Sequence, residues 1–139
     1  MKRDLVFWIA LGIASVAPLT ADPAEAQDGL TRRNSQGPVG VTLTLVLPVE
    51  SGSPVRVKVV LDTHSGSLDG VAFESAMAIR KPDGSELPPS VVEETGGGHH
   101  RQAVVVFPAV GVEKAIEIVV RDVGGVRERS FRWELPLSR

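Results

Sequence analysis

The chain has 139 residues, with 15 Lys and Arg against 17 Asp and Glu, and no cysteine. That balance excludes the basic footprint of a nucleic-acid or anionic-lipid binder, and the missing cysteine excludes both a disulfide scaffold and a lipid-modified N-terminal cysteine. The length suits one domain with its own hydrophobic core.

Along the chain, "MKRD" leads into an apolar run at residues 5–21 and then a small-x-small site, Ala24-Glu25-Ala26. These are the three parts of a secretory signal peptide. The run is 17 residues long and contains Pro18, short of the about 20 apolar residues a spanning helix needs. Against a retained anchor helix, the sequence therefore predicts a signal peptide over residues 1–26, with cleavage after Ala21 as the weaker alternative. The mature chain would begin at Gln27 with 113 residues, 13 Lys and Arg, and 14 Asp and Glu. The expected product is periplasmic or secreted, with no membrane span after signal removal and no nucleic-acid partner.

Residues 27–38, "QDGLTRRNSQGP", read as a polar, disordered leader. Residues 39–139 read as the folded domain. "VGVTLTLVLP" places Val39, Val41, Leu43, Leu45 and Leu47 on one face, and "VRVKVVLD" does the same with Val55, Val57, Val59 and Leu61. Period two with β-branched residues is the half-buried strand pattern. Residues 69–76 allow at most one turn of helix. "AMAIRKPDGSEL" suits a hairpin, because Pro-Asp-Gly fits a tight turn. "QAVVVFP" is nearly all apolar and predicts burial on both faces. Two further strands flank Gly124-Gly125, a pair suited to a primed hairpin turn. Ile116, Ile118, Val120, Phe131, Trp133 and Leu135 would point inward. About seven short strands in a mature chain of this size predict an all-β, antiparallel two-sheet sandwich, immunoglobulin-like in size and lacking the Cys–Trp–Cys core of antibody domains.

Three stretches carry a family resemblance: "VVLDTHSGSLDG", "GGGHHRQAVVVFP" and "IEIVVRDVGGVRERSFRWEL". Together they resemble a group of uncharacterised exported bacterial and archaeal β-domain proteins with an LDTHS…LD block, a GGHH block before a strand, and a closing GGVxERxFxW hairpin. Leu61 to Ser65, Leu68-Asp69, Gly97 to His100, and Gly124 through Trp133 carry it, across roughly residues 55–135. Some similar proteins look like lipoproteins, and this chain has no cysteine to modify. The resemblance implies an exported β-domain and no reaction.

All three histidines of the chain, His64, His99 and His100, fall in these polar blocks. If the strands ending at Asp62 and starting at Gln102 are antiparallel neighbours, the blocks meet at one end of the sandwich. Imidazoles with Asp62, Asp69, Glu93 or Glu94 suit Zn²⁺ or Cu²⁺, while a single mature methionine, Met77, and no cysteine disfavour Cu(I). The expectation is an exported binding module with a Zn²⁺ or Cu²⁺ site built from His64 and His99 or His100, with Asp62 and Asp69. The alternative is a structural or protein-interaction sandwich with no metal, whose histidines serve a hydrogen-bond network and whose partner is an envelope or extracellular protein. No zinc spacing such as H-E-x-x-H occurs. Catalysis ranks below both, because no G-x-S-x-G elbow is present and Glu93-Glu94 reads as a solvated loop. Arg127, Glu128, Arg129, Arg132 and Glu134 read as cross-strand charge pairs on a solvated face.

Overall fold

The computed structural model describes residues 29–111 and 114–137. The signal-peptide reading and the Gln27 start lie outside the described residues. Among them are nine strands and one helical turn: β1 (Thr31–Asn34), β2 (Val39–Val46), β3 (Val55–Thr63), α1 (Phe73–Ala76), β4 (Met77–Arg80), β5 (Glu86–Leu87), β6 (Val91–Gly97), β7 (His100–Phe107), β8 (Ala115–Val123) and β9 (Val126–Glu134). Two antiparallel sheets result, ordered β1-β2-β3-β7-β6 and β5-β4-β8-β9. β2-β3-β7-β6 and β4-β8-β9 reproduce the A-B-E-D and C-F-G orders of the immunoglobulin fold. β1 is added at one edge and β5 takes the place of a C′ strand.

Alternation in the sequence becomes burial in the structure. Val41, Leu43, Val57, Val59, Leu61, Val105, Phe107, Ile118 and Trp133 each expose 2% or less of their surface, and all belong to one core between the sheets. The β8–β9 hairpin turns through Gly124 at φ 60° and Gly125 at φ 73°, the two positive φ values of a type I′ turn. A Cβ on Gly124 would sit 2.6 Å from Val39 Cγ2, so the glycine also allows the hairpin to pack against the start of β2. α1 is the single helical turn, anchored by buried Phe73.

Four expectations need correcting. Part of the leader is ordered: β1 pairs with β2 from Thr31↔Thr44 to Asn34↔Val41, and Trp133 Nε1 donates to the Leu30 carbonyl at 2.9 Å. Leu47 does not join the inward face of β2; the strand ends at Val46 and Leu47 is 50% exposed, because Pro48 has no N–H to extend the ladder. β7 is buried on one face only. Ala103, Val105 and Phe107 are in the core, while Val104 and Val106 are half-buried on the outer face, which no third layer covers among the described residues. Leu135 lies beyond β9 and is partly buried against the core rather than inside it.

Candidate functional site

β3 and β7 are antiparallel neighbours, and their register sets Asp62 directly opposite His100. The LDTHS and GGHH blocks therefore meet at one end of the sandwich, as the strand-end argument requires. β6 joins β7 through a two-residue turn, Gly98-His99, with Gly98 at φ 67°. Gly96 has φ 82°, and a Cβ there would lie 2.8 Å from the His100 carbonyl oxygen. The glycine run thus serves a tight hairpin whose backbone approaches itself too closely for a side chain.

Each histidine takes a different place. His64 is exposed in the bend beyond β3. His99 is exposed, and its carbonyl accepts the Thr63 N–H at 3.0 Å. His100 Nδ1 is hydrogen-bonded to Asp62, and the Gln102 amide lies 2.8 Å from Nε2. An amide N–H₂ can only donate, so Nε2 accepts and Nδ1 carries the proton facing Asp62. This pair is open to solvent, with His100 52% and Asp62 48% exposed, so it contributes little to stability.

Asp69 does not face an imidazole nitrogen. Its Oδ1 accepts the Gly98 N–H at 2.8 Å and its Oδ2 accepts the Ser67 hydroxyl at 2.8 Å. The Gly98 amide first, then Ser67, holds the Asp69 carboxyl below the usual carboxylate range. Leu68 N donates to the Gly98 carbonyl at 2.8 Å, closing the loop against the β6–β7 turn from both sides. Thr63 Oγ1 lies 3.1 Å from the Pro38 carbonyl and 2.8 Å from the Ser65 carbonyl, which share its one hydroxyl proton. Among the described residues, no group of three or more His, Asp or Glu side chains is disposed to hold a metal ion.

Two arginines complete this end: Arg101, overlooked in the sequence, and Arg129, read there as part of a solvated face. Arg101, between His100 and Gln102, is 6% exposed. Its Nη1 donates to the carbonyls of Leu68 at 2.7 Å and Val71 at 2.5 Å, its Nη2 pairs with Glu94, and its guanidinium lies 4.9 Å from the Phe73 ring centroid. Glu93 and Glu94 are therefore part of strand β6 rather than a loop, and Glu94 serves a buried cation. Arg129 is 2% exposed and, among the described residues, pairs with no carboxylate. It donates to the carbonyls of Val123 at 2.7 Å, Gln36 at 2.6 Å and Val39 at 3.2 Å, and to Asn34 Oδ1 at 3.2 Å. Its placement corrects the solvated-face reading. The missed signal was parity: Arg101 shares a face with Ala103, Val105 and Phe107, and Arg129 with Phe131 and Trp133. A charged residue on a core face demands partners.

Glu128, Arg132 and Glu134 do lie on the outer face of the four-stranded sheet. Arg80, Glu86, Arg121 and Glu128 form a closed ring of ion pairs at 2.9, 2.6, 3.0 and 2.9 Å. Arg121 first, with Arg80, holds the Glu86 carboxyl down at about 2.

An immunoglobulin-type sandwich with a hydrogen-bonded loop end is the class that this fold and site define. Comparison with protein-family models, curated proteins and solved structures found no match.

Proposed function

We propose that the chain is an exported, periplasmic or secreted β-sandwich that works as a protein-interaction domain, its histidine blocks building a rigid end rather than a metal centre. One observation carries this reading. Each of the three motif blocks directs polar side chains at backbone in loops and at strand ends: Thr63 at Pro38, Asp69 at Gly98, Arg101 at Leu68 and Val71, and Arg129 at Gln36, Val39 and Val123. Such a set fixes loop positions, and loops fixed on a sandwich are a common recognition surface. The resemblance to exported β-domain proteins agrees with it. Intact mass of the exported form tests the location: a product beginning at Gln27 is expected.

A second reading keeps a metal. Asp62 orients His100 in the manner of a carboxylate that fixes a metal-bound imidazole, and Nε2 would become a ligand if Gln102 turned away. Calorimetry with and without Zn²⁺ or Cu²⁺ separates the two. The interaction domain should show no metal-dependent rise in melting temperature, and His64→Ala and His99→Ala/His100→Ala should behave alike with and without metal. A rise that either replacement abolishes, and that fades as pH drops through the imidazole range near about 6.5, would establish the metal reading instead.

A further inference from the structure

The two outer faces of the sandwich differ in how their charges are partnered. On the four-stranded sheet, Arg80 and Arg121 share Glu86 and Glu128, and Arg132 pairs with Glu134 at 2.6 Å. That face is neutralised from within. On the five-stranded sheet, Arg56 and Lys58 project outward from the central strand β3, both exposed, and neither has a hydrogen bond or ion pair among the described residues. Being two residues apart on one strand, they stand about 7 Å from each other on the same face.

Their surroundings are aliphatic. In register across the sheet, Arg56 lies between Val46 of β2 and Val106 of β7, and Val91 of β6 follows beyond Val106. Lys58 is flanked by Thr44 and Val104, and exposed Glu93 of β6 follows beyond Val104 without an ion pair to Lys58. Among the described residues the large hydrophobic side chains that remain exposed are Val46 at 38%, Leu47 at 50% and Val91 at 48%. All three belong to this row or adjoin it. The apolar exposure and the unpartnered cations thus coincide on one flat face.

We infer that this face docks an acidic, aliphatic segment of another protein. Two carboxylates on alternate residues of an extended segment would match the spacing of Arg56 and Lys58, and aliphatic side chains beside them would cover the valines. An anionic glycan fits less well, since among the described residues no aromatic side chain lies on this face for a sugar to stack against. Anionic membranes are recognised by denser clusters of about 4–8 cations. A second copy would set the same two cations against each other. The inference deepens the interaction-domain reading and rests on it.

The probe is a soluble eight-residue peptide alternating Asp and Val, titrated into the purified protein and followed by amide chemical shifts. Saturable shifts should centre on Arg56, Lys58, Val104, Val106 and Val91, leave the four-stranded face unmoved, and weaken as salt is raised. Arg56→Glu/Lys58→Glu should lose at least tenfold in affinity and gain for a Lys/Val peptide. Both positions are exposed, so the variant should retain the native spectrum; Val91→Asp provides a second, independently placed loss. No saturable shift, equal shifts on both faces, or an unchanged affinity in the reversed variant would overturn the inference. So would tighter binding of oligogalacturonate than of the peptide, or self-association without any probe. Such a failure removes this face alone, because the interaction-domain reading is decided by the metal calorimetry at the opposite end of β3.

Discussion

Arg129→Met removes a buried guanidinium while keeping an unbranched chain of similar volume in its place. The arginine is 2% exposed and makes four hydrogen bonds, three to backbone carbonyls and one to Asn34, with no carboxylate partner among the described residues. Hydrogen bonds to a charged donor are worth about 1.5–3 kcal/mol each, but the cation's own desolvation opposes them. Desolvation also lowers the Arg129 pKa from its ordinary value. The variant escapes that desolvation cost and leaves up to three carbonyls unsatisfied. The Val123 and Val39 carbonyls lie where the contact is buried, whereas Gln36 sits where water can replace the donor. Two buried orphans at about 1–3 kcal/mol each give an expected loss of about 2–6 kcal/mol, a large part of a typical domain stability of about 5–15 kcal/mol. Urea denaturation measures the total. Amide exchange should also report selective opening of β1 and the start of β2, because Asn34, Gln36 and Val39 are what the arginine holds. A loss below about 1 kcal/mol, or destabilisation without preferential exposure of β1, would refute the assignment of Arg129 as the clamp on this segment.

Other perturbations test other layers. Trp133→Ala and Phe107→Ala, both at 0% exposure, should each cost about 3–5 kcal/mol in chemical denaturation, and a value under about 1 would mean the strand faces are misassigned. Gly124→Ala should destabilise through the Cβ contact at 2.6 Å from Val39 Cγ2, and Val39→Ala in the same chain should recover part of the loss, giving a measurable coupling in a double-mutant cycle. Glu86, with its folded pKa lowered from 4.5 to about 2, contributes stability that is fully present above about pH 4.5 and is lost as pH falls through about 2. Solvent screening at this partly exposed ring limits the effect to about 1 kcal/mol, and Glu86→Gln should flatten that part of the stability–pH curve.

The readable elements were those whose side chains alternate against a covered face. β2, β3, β8 and β9 each follow period two, and their inward residues become the core. β1 and β6 were hidden for opposite reasons. "TRRN" is a polar edge strand held by its ladder to β2 and by tertiary contacts such as Arg32 Nε to the Arg132 carbonyl at 3.1 Å. "VVEETGG" mixes exposed valine, glutamate and glycine at the other edge, so neither hydrophobicity nor alternation marks it. At the site, the meeting of Asp62 with His100 was legible because it follows from strand direction alone. The division of labour among the side chains was not. Asp69 turns to a backbone amide instead of an imidazole, and Arg101 and Arg129 acquire their roles from segments 30 to 95 residues distant in sequence.

That long reach explains why the motif blocks gather at one end. A chain with no cysteine must hold its loops by contacts that are individually weak, at about 0.5–1.5 kcal/mol per neutral hydrogen bond. Loop closure grows only slowly in cost with length, so a single side chain that bonds several carbonyls at once is an effective staple over long separations. Arg129 does this for Gln36 and Val39, 93 and 90 residues away, and Arg101 for Leu68 and Val71, 33 and 30 residues away. Each staple needs its target backbone close by, and for Arg129 that closeness is what Gly124 permits against Val39. Charged side chains on core faces and glycines in the facing turns are therefore one requirement seen from two sides. The same coupling makes the end stiff: displacing the β6–β7 turn would break the Asp69–Gly98 and Leu68–Gly98 bonds together, so His99 at its tip is presented on a fixed backbone.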